Sequence, residues 1–499
     1  MNPDLLAGFS LAFTPEALLL AFLGMFFGII VGAVPGLTAT MAIAILTPFT
    51  FSLSPINGLL MLVGIYIGGV YGGCMSAILL NIPGTPSALM TALDGHPMAN
   101  NGQPGRALGI ATISSALGGL IGTLILLTIA PFLARFALKF GAAEYFALCC
   151  FGLSVVAALS QGSLIKGFIS AGIGLFIVSI GMDPIIGVPR FTYGSSQLLA
   201  GLSYIPIMIG LFGIAEVLTQ LSKKDVQVKV KQKIGRVIPT LKDLKTIWKI
   251  ILRCAGIGTF IGALPGAGGA IGAILGYNEA KRTSKYPEKF GSGVPEGIAA
   301  PEAANNSAVA GAFIPLLTLG IPGDAITAIL IGAFMIHNLT PGPLLYKNNP
   351  EIIYALYFGL LIAHVFLIVL GMTGARLYAK AVTIRNSLLM PIITLFCIVG
   401  SFAYANRLFD VMVMLAFGIL GYFMRRNKFP IAPMILGIVL GPIFELNLRV
   451  ALQLAEGNVI ELFTRPISAV LWILLVIMLL LPKIRKKDFQ VKNISTSGQ

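Results

Sequence analysis

Long apolar runs separated by short polar stretches dominate the chain. The first extends from Glu16 to Val34, long enough to cross a bilayer as a helix. Others fall near 55–80, 107–130, 144–160, 163–182 and 198–219. After a polar stretch at 222–246, runs resume at 250–264, 301–320, 324–339, 351–375, 387–405, 408–424, 430–444 and 466–482. Pieces at 38–51 and 267–277 are too short, or too broken by Pro and Gly, to count as spans. At ~20 apolar residues per membrane helix, the pattern predicts an all-α polytopic membrane protein with about 10–14 crossings. Residues 1–15 lack the basic segment of a cleavable signal peptide, so the first run is read as a retained helix.

Composition agrees. Of 499 residues, 57% are hydrophobic and 11% charged, against ~25% charged in ordinary soluble domains. The chain cannot furnish a water-facing surface, which excludes a disordered chain, a nucleic-acid-binding domain and a soluble enzyme. The net charge of +15 is concentrated between segments. Lys223, Lys224, Lys229, Lys231, Lys233, Arg236, Lys242 and Lys245 occupy the 222–246 stretch, and Lys483, Arg485, Lys486 and Lys487 the tail. Basic loops mark the cytoplasmic side. The five cysteines lie in apolar stretches without a C-x-x-C pair and read as packing residues. Three scattered histidines give no metal-ligand pattern, so no tightly held metal is expected; a transiently bound Na⁺ remains compatible with the chain.

Two motifs recur in order. Gly28-Ile-Ile-Val-Gly-Ala-Val-Pro-Gly36 matches Gly258-Thr-Phe-Ile-Gly-Ala-Leu-Pro-Gly266 at five of nine positions. Leu80-Asn-Ile-Pro-Gly84 matches Leu319-Gly-Ile-Pro-Gly323 at four of five. This implies a duplicated unit: a first repeat over 1–220, a basic cytoplasmic linker at 221–246, a second repeat over 247–482 and a cytoplasmic tail at 483–499. With the linker inside, counting spans makes 107–130 and 351–375 run in opposite directions, the inverted-topology arrangement of many secondary transporters.

The recurring Pro-Gly pairs break helices at membrane depth, where irregular backbone is tolerated only inside protein or beside a wet cavity. Free amides at such breaks suit a carboxylate, and free carbonyls suit a cation. Candidate solute-binding residues are Thr38, Asn81, Pro83, Gly84, Thr85, Ser87, Asn305, Asn306, Ser307, Pro322 and Gly323. Candidate ion-coupling residues are Gly36, Gly266, Glu302 and Asp324. Asp324 equally suits the N-cap of the helix after Pro322-Gly323. The glycines spaced by four equally suit close helix packing. His364, alone in an apolar run, reads as a packing histidine. No P-loop or dinucleotide fingerprint is present.

These motifs resemble the large membrane subunit of the tripartite tricarboxylate transporters, the TctA family. The resemblance covers nearly the whole chain. It is most specific at Gly32–Thr38, Asn81–Ser87, Ala300–Ser307, Thr318–Asp324 and Pro341-Gly-Pro-Leu344. It implies import of tricarboxylates or related organic anions across the bacterial inner membrane, driven by a Na⁺ or H⁺ gradient, without a bound cofactor. It also implies an elevator-like mobile unit and two partners, a small four-helix membrane subunit and a periplasmic solute-binding protein. The copies differ at Asn81 and Gly320, and at Thr85 and Asp324, so the site should be only pseudosymmetric. The expected function is a transporter subunit rather than an enzyme. The alternatives are a channel, which broken helices also fit, and an intramembrane enzyme using Glu302 or Asp324.

Overall fold

The computed structural model describes residues 3–159, 163–222 and 234–479. Five linker lysines, Lys223 to Lys233, and the basic residues of the tail lie outside these. The described chain is almost entirely helical. Its one sheet is a hairpin pairing Gly181–Met182 with Pro189–Arg190 antiparallel.

The first part contains α1 (Pro3–Ala12), α2 (Pro15–Ala33), α3 (Ala39–Leu46), α4 (Pro55–Leu80), α5 (Leu89–Asn100) and α6 (Pro104–Ala137). Next come α7 (Ala142–Leu159), α8 (Leu164–Val178), α9 (Tyr204–Met208) and α10 (Ala215–Leu221). A π-helical stretch, Ile209–Ile214, joins α9 to α10. After the linker come α11 (Leu241–Gly262), α12 (Gly268–Thr283), α13 (Pro295–Leu319), α14 (Ala325–Ile336), α15 (Pro343–Asn348), α16 (Pro350–Thr373) and α17 (Ala375–Ala381). Then follow α18 (Asn386–Ala405), α19 (Leu408–Arg426), α20 (Ile431–Leu454) and α21 (Glu461–Thr464).

Among the described residues, eight helices are long and apolar enough to cross a membrane. Five further apolar helices are shorter, including Ala142–Ala158, Leu164–Val178 and Ala325–Ile336. Runs that look like single spans in sequence therefore become helices of differing reach. Reaching 10–14 crossings requires some of these shorter helices to span as well.

Helix starts follow local chemistry. Thr14, Thr38 and Ser54 cap α2, α3 and α4, each accepting the amide three residues on. Pro15 and Pro55 stand in the first turns, where no amide is needed. Thr240 and Asp243 form a capping box on α11, as do Asp324 and Thr327 on α14.

The chain folds as two compact units, Met1–Ala137 with Ser203–Arg426, and Leu138–Leu202 with Asn427–Gln499. Each draws on both sequence halves. In the second unit α7 and α8 pack on α20, with Gly174 against the Met434 carbonyl and Gly437 against that of Ala171. Its ionic cluster joins residues far apart in sequence. Arg190 pairs with Glu445 at 2.6 Å, and Arg449 reaches Asp183 at 2.7 Å and Glu445 at 3.2 Å. Asp183 Oδ1 also accepts the amides of Ile185 and Ile186. Those amides and Arg449 hold the Asp183 carboxyl below the usual carboxylate range.

The first unit contains both pairs of motifs, and matched positions make matched contacts. Gly28 and Gly32 of α2 lie against the carbonyls of Ile65 and Gly69 on α4. Gly258 and Gly262 of α11 lie against those of Ala304 and Ala308 on α13. Without a Cβ, each pair lets two helix backbones touch.

Candidate functional site

Both upstream motifs end a helix in the same way. Helix α2 stops at Ala33 and α11 at Gly262, and each chain then turns through Pro-Gly. Gly36 and Gly266 carry φ of 95° and 78°, a left-handed conformation that glycine adopts without strain. Both downstream motifs also match. Asn81 and Gly320 close α4 and α13 in left-handed conformation, at φ 58° and 70°. Their amides bond back to Ala77 and Leu316, and the next amides, Ile82 and Ile321, to Ser76 and Pro315. The bond made by each left-handed residue is the 5→1 closure of an αL helix C-cap.

The breaks then meet. Gly84 abuts the carbonyl of Gly32, and Gly323 that of Gly262. Helix α3, which follows the first upstream break, packs on α14, which follows the second downstream one. Reciprocally, the Pro86–Ala88 turn and α5 pack on α12. The candidate residues thus lie on elements that pack on one another. Gly268 lies near Asp324, Gly269 touches Asn305 Oδ1, and the Pro86–Ala88 turn touches α13, which carries Asn305, Asn306 and Ser307.

Not every group is free as expected. The Gly266 amide donates to Gly323 O at 2.7 Å, and the Gly84 amide to Gly73 O at 3.3 Å. The Asp324 amide donates to Thr327 Oγ1 at 2.9 Å. Asp324 Oδ1 accepts the Thr327 amide at 2.8 Å, so this carboxylate already fills the anion position at the start of α14. Its Oδ2 accepts the Tyr66 hydroxyl of α4. The equivalent turn, Pro86–Ala88, has no side-chain cap. Half-buried Thr85 and buried Ser87 stand there with their hydroxyl oxygens 3.1 Å apart. Thr38 is half-buried and occupied as the cap of α3, and Asn81 is exposed. Pro83 is half-buried and Pro322 buried.

Glu302 stands apart in its own pocket of partners. It is fully buried on α13 and accepts hydrogen bonds from Thr91 of α5 at 2.6 Å and Ser115 of α6 at 2.7 Å. Asn306 donates to the Glu302 carbonyl at 3.4 Å and Ser307 to that of Ala304 at 3.1 Å. Asn305 Nδ2 and Asn306 Oδ1 are buried without partners. His364 is satisfied on one side only: Nδ1 donates to Leu360 O at 2.6 Å, while Nε2 has no partner.

Several residues escaped sequence reasoning. Asp94 of α5 accepts the amides of Gly291, Gly293 and Val294 and the hydroxyl of Tyr277, which pins the start of α13. Glu216 of α10 pairs with Arg425 and accepts Gln220 Nε2 at 2.6 Å; the same nitrogen makes a long 3.5 Å contact to Gly36 O. As an acid inside an apolar run, Glu216 carries a signal that marks functional positions. Tyr66, Thr91 and Ser115 carry no such signal. Among the described residues no group of three or more His, Cys, Asp or Glu could hold a metal ion.

The Tripartite tricarboxylate transporter TctA family model matches residues 18–436. The chain belongs to that family. As a member it is a membrane component of a tripartite transporter. It is 39% identical over 492 residues, 98% of both chains, to an uncharacterized 52.8 kDa protein in the TAR-I ttuC' 3' region of Agrobacterium vitis. It is also 39% identical over 237 residues to an uncharacterized protein in the TAR-II ttuC' 3' region of that organism; this covers 47% of the chain and 98% of that relative. No solved structure matches.

Proposed function

We propose that this TctA-family protein is the permease subunit of a binding-protein-dependent, ion-gradient-driven importer of tricarboxylates or related organic anions. It works in the bacterial inner membrane with a small four-helix membrane subunit and a periplasmic solute-binding protein. The observation that carries this reading is the reciprocal packing of broken helices, α3 on α14 and the Pro86–Ala88 turn on α12. A duplicated, inverted unit built this way offers two related sets of backbone groups to one central solute, and exchanging the roles of the two halves gives alternating access. Thr85 and Ser87 supply neutral hydroxyl donors at the uncapped turn, and Asn305 supplies an amide. Neutral donors hold a carboxylate while permitting its release. An elevator-like movement of the mobile unit carries the solute across.

The test is reconstitution of all three subunits in proteoliposomes with radiolabelled citrate, malate and succinate. Accumulation above the external concentration, requiring both an ion gradient and the binding protein, is expected for at least one of them. Flux that only equilibrates the solute would assign a channel instead.

A further inference from the structure

Glu302 presents a physical puzzle. A carboxylate with no exposed surface costs several kcal/mol to keep ionised unless a cation or many donors compensate it. Among the described residues no Lys, Arg or His contacts its side chain. Its partners are two hydroxyls, Thr91 on Oε1 and Ser115 on Oε2.

We infer that Glu302 is the proton-carrying group of the transport cycle, and that Thr91 and Ser115 form a cradle suited to both of its protonation states. The inference rests on the transporter reading and names the coupling ion. A guanidinium or ammonium can only donate, so it fixes a carboxylate as charged. A hydroxyl donates and accepts. When Glu302 is ionised, both hydroxyls donate to it. When one carboxyl oxygen takes up a proton, that oxygen donates to the hydroxyl facing it. The freed hydroxyl proton turns to a carbonyl of its own helix, as helical Ser and Thr commonly do. The proton is gained and lost with no other heavy atom moving. A metal cation does not fit this arrangement, because both carboxyl oxygens already touch hydroxyl oxygens at 2.6 and 2.7 Å. A cation seated between them would have to push them apart.

The titratable groups on the elements packed against α13 are placed differently from Glu302. Asp324, at the start of α14, is committed as a helix cap to the Thr327 amide and accepts the Tyr66 hydroxyl, and Glu296, at the start of α13, is part-exposed. On α4, the Tyr71 hydroxyl is engaged with Thr112 at 2.7 Å, and Cys74 is a buried thiol. On α5, Asp94 is held by three amides and Tyr277 of α12. On α11, Cys254 contacts Gly276 O. Glu279 of α12 is paired with Arg253 and Arg282, and Arg106 of α6 with Asp243. Lys347 of α15 is exposed.

The experiment uses the complete reconstituted transporter and whichever of citrate, malate or succinate the wild type accumulates. Glu302→Gln keeps the shape and a hydrogen-bonding amide but cannot exchange a proton. It should lose accumulation driven by an imposed pH gradient, at least tenfold, while retaining solute counterflow between preloaded vesicles. Ser115→Ala, which removes one donor to the ionised form, should still accumulate solute, with its uptake profile displaced toward higher pH. Accumulation by Glu302→Gln at the wild-type level would overturn the inference. So would loss of counterflow together with accumulation, an unmoved pH profile in Ser115→Ala, or wild-type accumulation that needs Na⁺ and moves no protons. Absence of any saturable wild-type uptake would instead defeat the transporter reading itself.

Discussion

The amide of Gly266 donates to the carbonyl of Gly323 at 2.7 Å. This bond fastens the upstream break of the second half to the downstream one, although 56 residues separate them in the chain. Two interruptions, each costing helical hydrogen bonds, thereby satisfy part of each other's backbone.

The close approach that permits this bond gives the first prediction. A Cβ at Gly262 would run into the carbonyl of Ala308, whereas one at Gly256 on the same helix meets nothing within 4 Å. Gly262→Ala should destabilise the protein by about 1–3 kcal/mol through overpacking. Gly256→Ala should be neutral or slightly stabilising. Thermal unfolding in detergent compares them, and equal melting of the two variants would contradict the packing role of Gly262.

Much of this arrangement is legible in the amino-acid sequence. The Pro-Gly pairs are legible because proline removes a donor and glycine permits positive φ, so breaks announce themselves locally. Asp324 as a cap was legible for the same reason, since capping is a relation between neighbours. Tyr66 on Asp324, and Thr91 and Ser115 on Glu302, were not, because hydroxyls in apolar runs look alike until packing chooses among them. Asp183, Arg190, Glu445 and Arg449 were missed because their pairing spans more than 250 residues of chain. The division into two compact units was hidden too, because each collects segments from both halves of the chain.

Sidedness gives a second prediction. The basic linker is expected on the cytoplasmic face, and Lys242 is exposed at the start of α11. In a variant stripped of native cysteines, Lys242→Cys should resist membrane-impermeant maleimide in intact cells and react in inverted vesicles. Ready labelling in intact cells would reverse the orientation.

A third concerns acid. The folded-state proton affinity of Asp183 lies below its ordinary value of 3.8, so its ionised form is favoured by folding. That stabilisation is complete above pH ~3.8 and is lost as the pH falls toward the folded value. Asp183→Asn should therefore melt below wild type near neutral pH, and the gap should narrow in increasingly acidic buffer. A gap independent of pH would show that the carboxylate's charge contributes nothing.

Ser87 tests the uncapped turn. If its hydroxyl donates one hydrogen bond to the solute, Ser87→Ala should weaken binding by about 1 kcal/mol, roughly fivefold in Kd. Thr85→Val should act similarly, because the two hydroxyls stand 3.1 Å apart at the same turn. Unchanged affinity in both variants would move the solute away from this turn.

Asp324 carries the sharpest choice between two roles. Its Oδ1 accepts the Thr327 amide and hydroxyl, both at 2.8 Å, and its Oδ2 accepts the Tyr66 hydroxyl. A cap needs an oxygen acceptor, which asparagine also supplies, and Asn and Asp cap comparably. A cation ligand needs the charge. Asp324→Asn should accordingly retain uptake and its ion dependence, while Asp324→Ala should lose about 1 kcal/mol of stability with the cap. Initial uptake rates across a series of Na⁺ and H⁺ concentrations provide the measurement. Altered ion dependence in Asp324→Asn, with stability preserved, would make Asp324 a cation ligand and add a second charge-coupled group to the one inferred at Glu302. Wild-type ion dependence would leave Asp324 to position α14 at the break, with Tyr66 fastening that helix start to α4.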